Sequence, residues 1–117
     1  MQTAEAIIVV EVPAQLNHVY AVTFCAELQP LFQSDRACIV LDFSQVRHID
    51  SAGLMALSRC VRDSMRRDGD LKLAAVSPAS KVILEFMLAD RLFETFETTE
   101  EAVRSFGSIP AHTIPQR

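Results

Sequence analysis

The stretch IVLDFSQVRHIDSAGLMAL, residues 39–57, changes its periodicity midway. It opens as an aliphatic, β-branched run closed by Asp42, the pattern of a strand buried on both faces. From Gly53 onward, Leu54, Leu57, Val61 and Met65 recur at helical spacing. Arg59, Arg62, Asp63, Arg66 and Arg67 fall on the other faces, the last two near a C-terminus whose dipole favours cations. A strand feeding a helix through a short link begins a β-α-β unit. Asp50, Ser51 and Gly53 stand at the junction. Capping explains the acid and the hydroxyl, since either side chain can accept a bond from an N–H two or three residues on. Gly53 permits close approach of backbone. The same exposed N–H groups and dipole also welcome an anion, so a phosphate on Ser51 is the second reading. It would add a charge of about −1.5 to −2 beside Asp50 and repel or crowd a close-fitting partner.

The pattern repeats outward from this stretch. AIIVVEV (Ala6 to Val12) reads as a buried strand ended by Pro13. Ala14 to His18 is a polar connection, with Asn17 an N-cap for a helix over Val19 to Gln33. The spacing of Val19, Val22, Ala26, Leu28 and Leu31/Phe32 marks its apolar positions, and Pro30 is expected to kink it or split off its last turn. ACIVLDF (Ala37 to Phe43) is the second strand. Asp68 to Asp70 ends the central helix, and LKLAAV (Leu71 to Val76) is the third strand. Ser77-Pro78 then gives a cap and a first-turn proline for a helix ending near Asp90. Leu92 to Thr98 reads as a short edge strand. Thr98 or Thr99 caps a last helix with Glu100 and Glu101 in its first turn. Gly107 to Arg117, with two prolines, is expected to be a mobile tail. The alternation predicts an α/β fold, a single domain over residues 1–117, with a mixed, mostly parallel sheet of four to five strands and helices packed on it.

Composition narrows the function. Half of the 117 residues are hydrophobic, enough for one core. A net charge of −4 argues against nucleic acid as a direct partner. No apolar run approaches the roughly 20 residues of a membrane span, and no basic start marks a secretory signal. Cys25, Cys38 and Cys60 are odd in number, lack Cys-x-x-Cys spacing and sit among apolar neighbours. They read as small hydrophobes in a reducing, cytoplasmic setting rather than as disulfides or thiolate ligands. The three histidines lack metal-ligand spacing, and the three glycines build no phosphate-cradling loop, so neither metal nor cofactor is expected. Ser51 lacks the Gly-x-Ser-x-Gly context of a hydrolase nucleophile, and His48 is too close in sequence to serve as a remote base. Asp42 ends a strand like the phosphoacceptor of receiver domains, but no acidic pair follows the first strand to hold magnesium. It reads instead as an aspartate binding backbone groups. Arg59, Arg62, Arg66 and Arg67 read as a solvated face in preference to a site for an acidic partner.

From about Ile7 to Phe106 the sequence resembles a STAS domain of the anti-sigma factor antagonist type. The resemblance is strongest in residues 39–57, with a buried strand ending in Asp, a short link and then Asp-Ser-x-Gly-Leu opening a helix. LKLAAVSPASKVILEFMLADRLFETFETTEEAV, residues 71–103, continues it. The resemblance implies a non-enzymatic binding module. Such a module captures an anti-sigma factor serine kinase when unphosphorylated and is released on phosphorylation of the serine matching Ser51; a phosphatase reverses this. It further implies a contact surface framed by Asp50, Ser51, Gly53 and Leu54, joined by Asn17 and His18 from the loop before the first helix. That loop departs from the family pattern in carrying Ala14 and Asn17 where a glycine and an aspartate are usual. An extra first strand usual in the family has only Met1 to Glu5 available to it. The alternative implied by the same family is a non-switching scaffold or regulatory subunit of a signalling or lipid-transport complex. Edge strands and apolar helix faces leave a weak homodimer open.

Overall fold

The computed structural model describes residues 7–32, 38–66, 70–86, 94–107 and 111–114. The order is β1 (Ile7–Glu11), β2 (Gln15–Leu16), α1 (His18–Phe32), β3 (Cys38–Asp42), β4 (His48–Ile49), α2 (Ser51–Arg66), β5 (Asp70–Ala74), α3 (Pro78–Phe86), β6 (Glu94–Phe96), α4 (Thr99–Arg104) and β7 (Ala111–Ile114). Five strands form one sheet in the order β6-β5-β3-β1-β7, and every described pairing is parallel. This is the mostly parallel sheet of four to five strands expected, with no antiparallel pairing among the described residues.

Two-face burial follows from the period-2 alternation of β-branched and aliphatic residues. Val10 and Val12, Ile39 and Leu41, and Leu71 and Leu73 point to one side, where Ala21, Phe24 and Leu28 of α1 and Leu54 and Leu57 of α2 close the larger core. Ile7 and Val9, Val40 and Ala74 point to the other side, against Ala102 of α4 with Phe96, Val103 and Phe106 around it. One polar side chain breaks that face. Lys72 is only 6% exposed. Its ammonium donates to Ser105 Oγ at 2.6 Å, lies 3.4 Å from Glu94 and 3.9 Å from Asp70, and stands 4.2 Å above the Phe106 ring.

Three expectations are corrected. The apolar face of α1 is Ala21, Phe24, Leu28 and Leu31, whereas Val19 and Val22 are exposed and so is Ala26. Nearly every residue from Val19 to Ala26 is apolar or small, so spacing alone supports more than one face. Pro30 does not split the helix, which runs on to Phe32; its missing N–H falls in the last turn, where only its own hydrogen bond is lost. The mobile tail expected over Gly107 to Arg117 does not hold for Ala111–Ile114, which pairs in parallel with β1 from Ile7↔Ala111 to Val10↔Ile114; residues 108–110 and 115–117 lie outside the described residues. The space for an extra first strand (residues 1–5), the end of the third helix near Asp90, and Arg67 lie outside the described residues.

Candidate functional site

The carboxyl ends of β1, β3 and β5 all lead into loops on the same edge of the sheet, because the strands are parallel. Between β1 and α1 the chain does not stay an open connection: β2 pairs in parallel with β4 from the β3–α2 link, Gln15 with His48 and Leu16 with Ile49. Ala14 C=O accepts from the N–H groups of Arg47 (2.8 Å) and His48 (3.2 Å). Leu16 is 1% exposed and belongs to the larger core. This two-stranded piece locks the first loop to the start of α2.

Each helix that starts on this edge carries its own cap. Asn17 Oδ1 accepts from the N–H groups of Val19 and Tyr20, both at 3.1 Å, at the start of α1. Asp50 Oδ1 accepts from Gly53 N–H at 2.8 Å at the start of α2. Ser77 Oγ accepts from Ser80 N–H at 3.1 Å at the start of α3. The capping reading of the junction therefore holds for Asp50. It does not extend to Ser51, which is the first residue of α2, exposed, and makes no side-chain hydrogen bond among the described residues. Asp42 also behaves as read, accepting from Ser44 N–H at 2.9 Å.

Asn17 and Asp50 come together in an open groove of about 330 Å³, lined also by Arg47, His48, Ile49, Ser77, Ala79 and Ser80. His18 opens α1 beside it in sequence. Gly53 and Leu54 are buried and lie beneath this surface. A Cβ on Gly53 would stand 1.9 Å from the Leu16 carbonyl oxygen. Beyond the residues read from sequence, exposed apolar side chains flank the site: Val19, Tyr20 and Val22 on α1, and Met55 one turn after Ser51 on α2. These two helices pack along each other. The signal for the patch was present in α1, whose first half has apolar residues on more sides than one core can cover.

Electrostatic shifts lie at the other end of the strands. Burial pushes the Cys38 thiol up, reinforced by Asp70 and partly offset by Lys72. Burial likewise raises the Asp70 carboxyl, with Lys72 acting against it and Glu94 with it. Among the described residues no group of three or more His, Cys, Asp or Glu side chains could hold a metal. No described helix is long and apolar enough to cross a membrane.

The family model described as STAS domain matches residues 1–102. The chain belongs to the STAS domain family. Solved structures share the fold. A putative anti-sigma factor antagonist from Thermotoga maritima is 22% identical, with TM-score 0.75 over 84% of this chain and 86% of that one. An anti-sigma-factor antagonist (STAS) domain protein from Planctomyces limnophilus is 23% identical, with TM-score 0.71 over 85% and 90%. A sulfate transporter family protein from Wolinella succinogenes is 18% identical, with TM-score 0.69 over 86% and 84%.

Proposed function

We propose that this STAS domain is an anti-sigma factor antagonist, switched by phosphorylation of Ser51. The observation that carries the reading is the division of labour at the start of α2. Asp50 caps the helix, which leaves the Ser51 hydroxyl exposed and uncommitted beside the apolar side chains of α1 and α2. Exposed apolar groups of this kind mark protein contacts. An added charge of about −1.5 to −2 at Ser51 would desolvate poorly against such a contact and repel acidic groups across it. No internal rearrangement is needed. The protein acts as a kinase substrate and binding module in the cytoplasm, with no catalysis of its own. Its partners are an anti-sigma factor that is also a serine kinase, and a phosphatase that restores the hydroxyl.

Ser51→Asp is expected to abolish capture of the anti-sigma factor while Ser51→Ala retains it, both variants keeping the parent circular dichroism. Equal affinity of Ser51→Asp and the parent overturns the switch. The likeness to a sulfate transporter family protein favours a second reading, a scaffold or regulatory subunit, in which a partner binds regardless of the residue at 51.

A further inference from the structure

We propose that the groove at the carboxyl edge of the sheet binds a small phosphate-class oxyanion, free phosphate or a phosphate monoester, at a site separate from the Ser51 hydroxyl. Open α/β sheets present ligand crevices outside the carboxyl ends of their strands, and here three helices of 15, 16 and 9 residues start around one groove. Their dipoles place partial positive charge on the same side. Arg47 and His48 line the groove as further donors; Asp50 lines it too and offsets one charge, with one carboxylate oxygen engaged by Gly53 N–H.

One unsatisfied side-chain donor points to an occupant independently of the helix ends. Ser80 is 7% exposed and lines the groove, yet its hydroxyl makes no hydrogen bond among the described residues. A buried hydroxyl without a partner is costly, and a ligand oxygen would satisfy it. The backbone at the start of α3 adds a donor that belongs to the helix end itself. Pro78 has no N–H, Ser80 N–H goes to Ser77 Oγ, and Lys81 N–H goes to Ser77 C=O at 2.8 Å. Ala79 N–H is left over, and Ala79 lines the groove. A tetrahedral oxyanion carries several acceptors and can take the Ser80 hydroxyl, the Ala79 N–H and the Arg47 fork together.

The test is a phosphate titration of the unphosphorylated full chain, followed by amide NMR at fixed pH against sodium chloride at equal ionic strength. Saturable shifts centred on residues 47–50 and 79–80 are expected. Arg47→Gln should weaken binding about tenfold or more, and Ser80→Ala roughly threefold to tenfold. Arg62→Gln, an exposed charge elsewhere on α2, should bind as the parent does. Shifts that do not saturate, that chloride reproduces, or that persist with parent affinity in both Arg47→Gln and Ser80→Ala overturn the site. Because phosphate is added to a chain with a free Ser51, the outcome does not depend on the partner switch.

Discussion

Gly53 has no room for a side chain. The Leu16 carbonyl oxygen lies where a Cβ would stand, at 1.9 Å, and the carbonyl carbon lies at 2.8 Å. Both obstacles are backbone, and Leu16 is itself fixed by the β2–β4 pairing and by its place in the core. Relief therefore requires β2 to move off α2. Gly53→Ala is expected to lower stability by about 2–3 kcal/mol, read as a fall in the urea midpoint with an unchanged slope. A loss under about 0.5 kcal/mol would mean that β2 yields without cost. Cys38 offers a second test at this scale. Half-buried and opposite Asp70 in the β3–β5 register, its thiol titrates above the ordinary range, burial being the larger cause. A group raised in the folded state contributes stability that is complete below its unfolded pKa and is lost as pH climbs through the folded value. Alkylation of Cys38 in the folded chain should consequently follow a pH profile displaced upward from that of an unfolded cysteine peptide. A profile at or below the peptide's would contradict the assignment.

Elements whose signals are local were legible in the sequence. The caps at Asn17, Asp50, Ser77 and Thr98 are each a polar side chain just before an apolar period, and each accepts the bond its position calls for. The central strands are aliphatic runs long enough to stand out. What escaped depends on tertiary context. A two-residue strand such as β2 has no period to detect, and β7 is four residues flanked by prolines. The groove was only half legible: Asn17 and Asp50 could be named, but Ser80 joins them through the parallel alignment of β3 with β5, which no single segment encodes. Lys72 was hidden for the same reason, since its burial is decided by α4 and β6 closing over β5. Its stem fills space and its ammonium is held by Ser105, the phenylalanine rings and two half-exposed carboxylates. Lys72→Ala should cost about 1–3 kcal/mol, through lost packing and the unbalanced Asp70 and Glu94 charges. Lys72→Met, which keeps the volume, should stay within about 1 kcal/mol of the parent. Thermal denaturation of the pair separates the two contributions: equal losses would make the charge, not the stem, the stabilising part.

At the scale of the whole molecule, the family match ends at residue 102, before β7 begins at Ala111. The sheet nevertheless depends on β7 for closure on one side. Without it β1 would be an edge strand, presenting unpaired N–H and C=O groups beside apolar Ile7 and Val9, which are now almost fully buried. Val10 and Val12 extend the same strand into the larger core, so loosening β1 would reach Leu16 and the loop that carries Asn17. Removal of residues 108–117 should therefore act at two places. Amide exchange should quicken along β1 while β3 and β5, paired on both sides, keep their protection. The exposed edge should also pair with a second copy, so that sedimentation shows a concentration-dependent dimer absent from the full chain. The two effects have different consequences for the site. If exchange quickens and the dimer forms while partner capture survives, β7 guards the edge and the β2–β4 pairing alone holds the loop in place. If capture is lost as well, the fifth strand belongs to the binding apparatus through β1. Unchanged exchange together with a monomeric species would show that β1 holds its conformation on β3 alone.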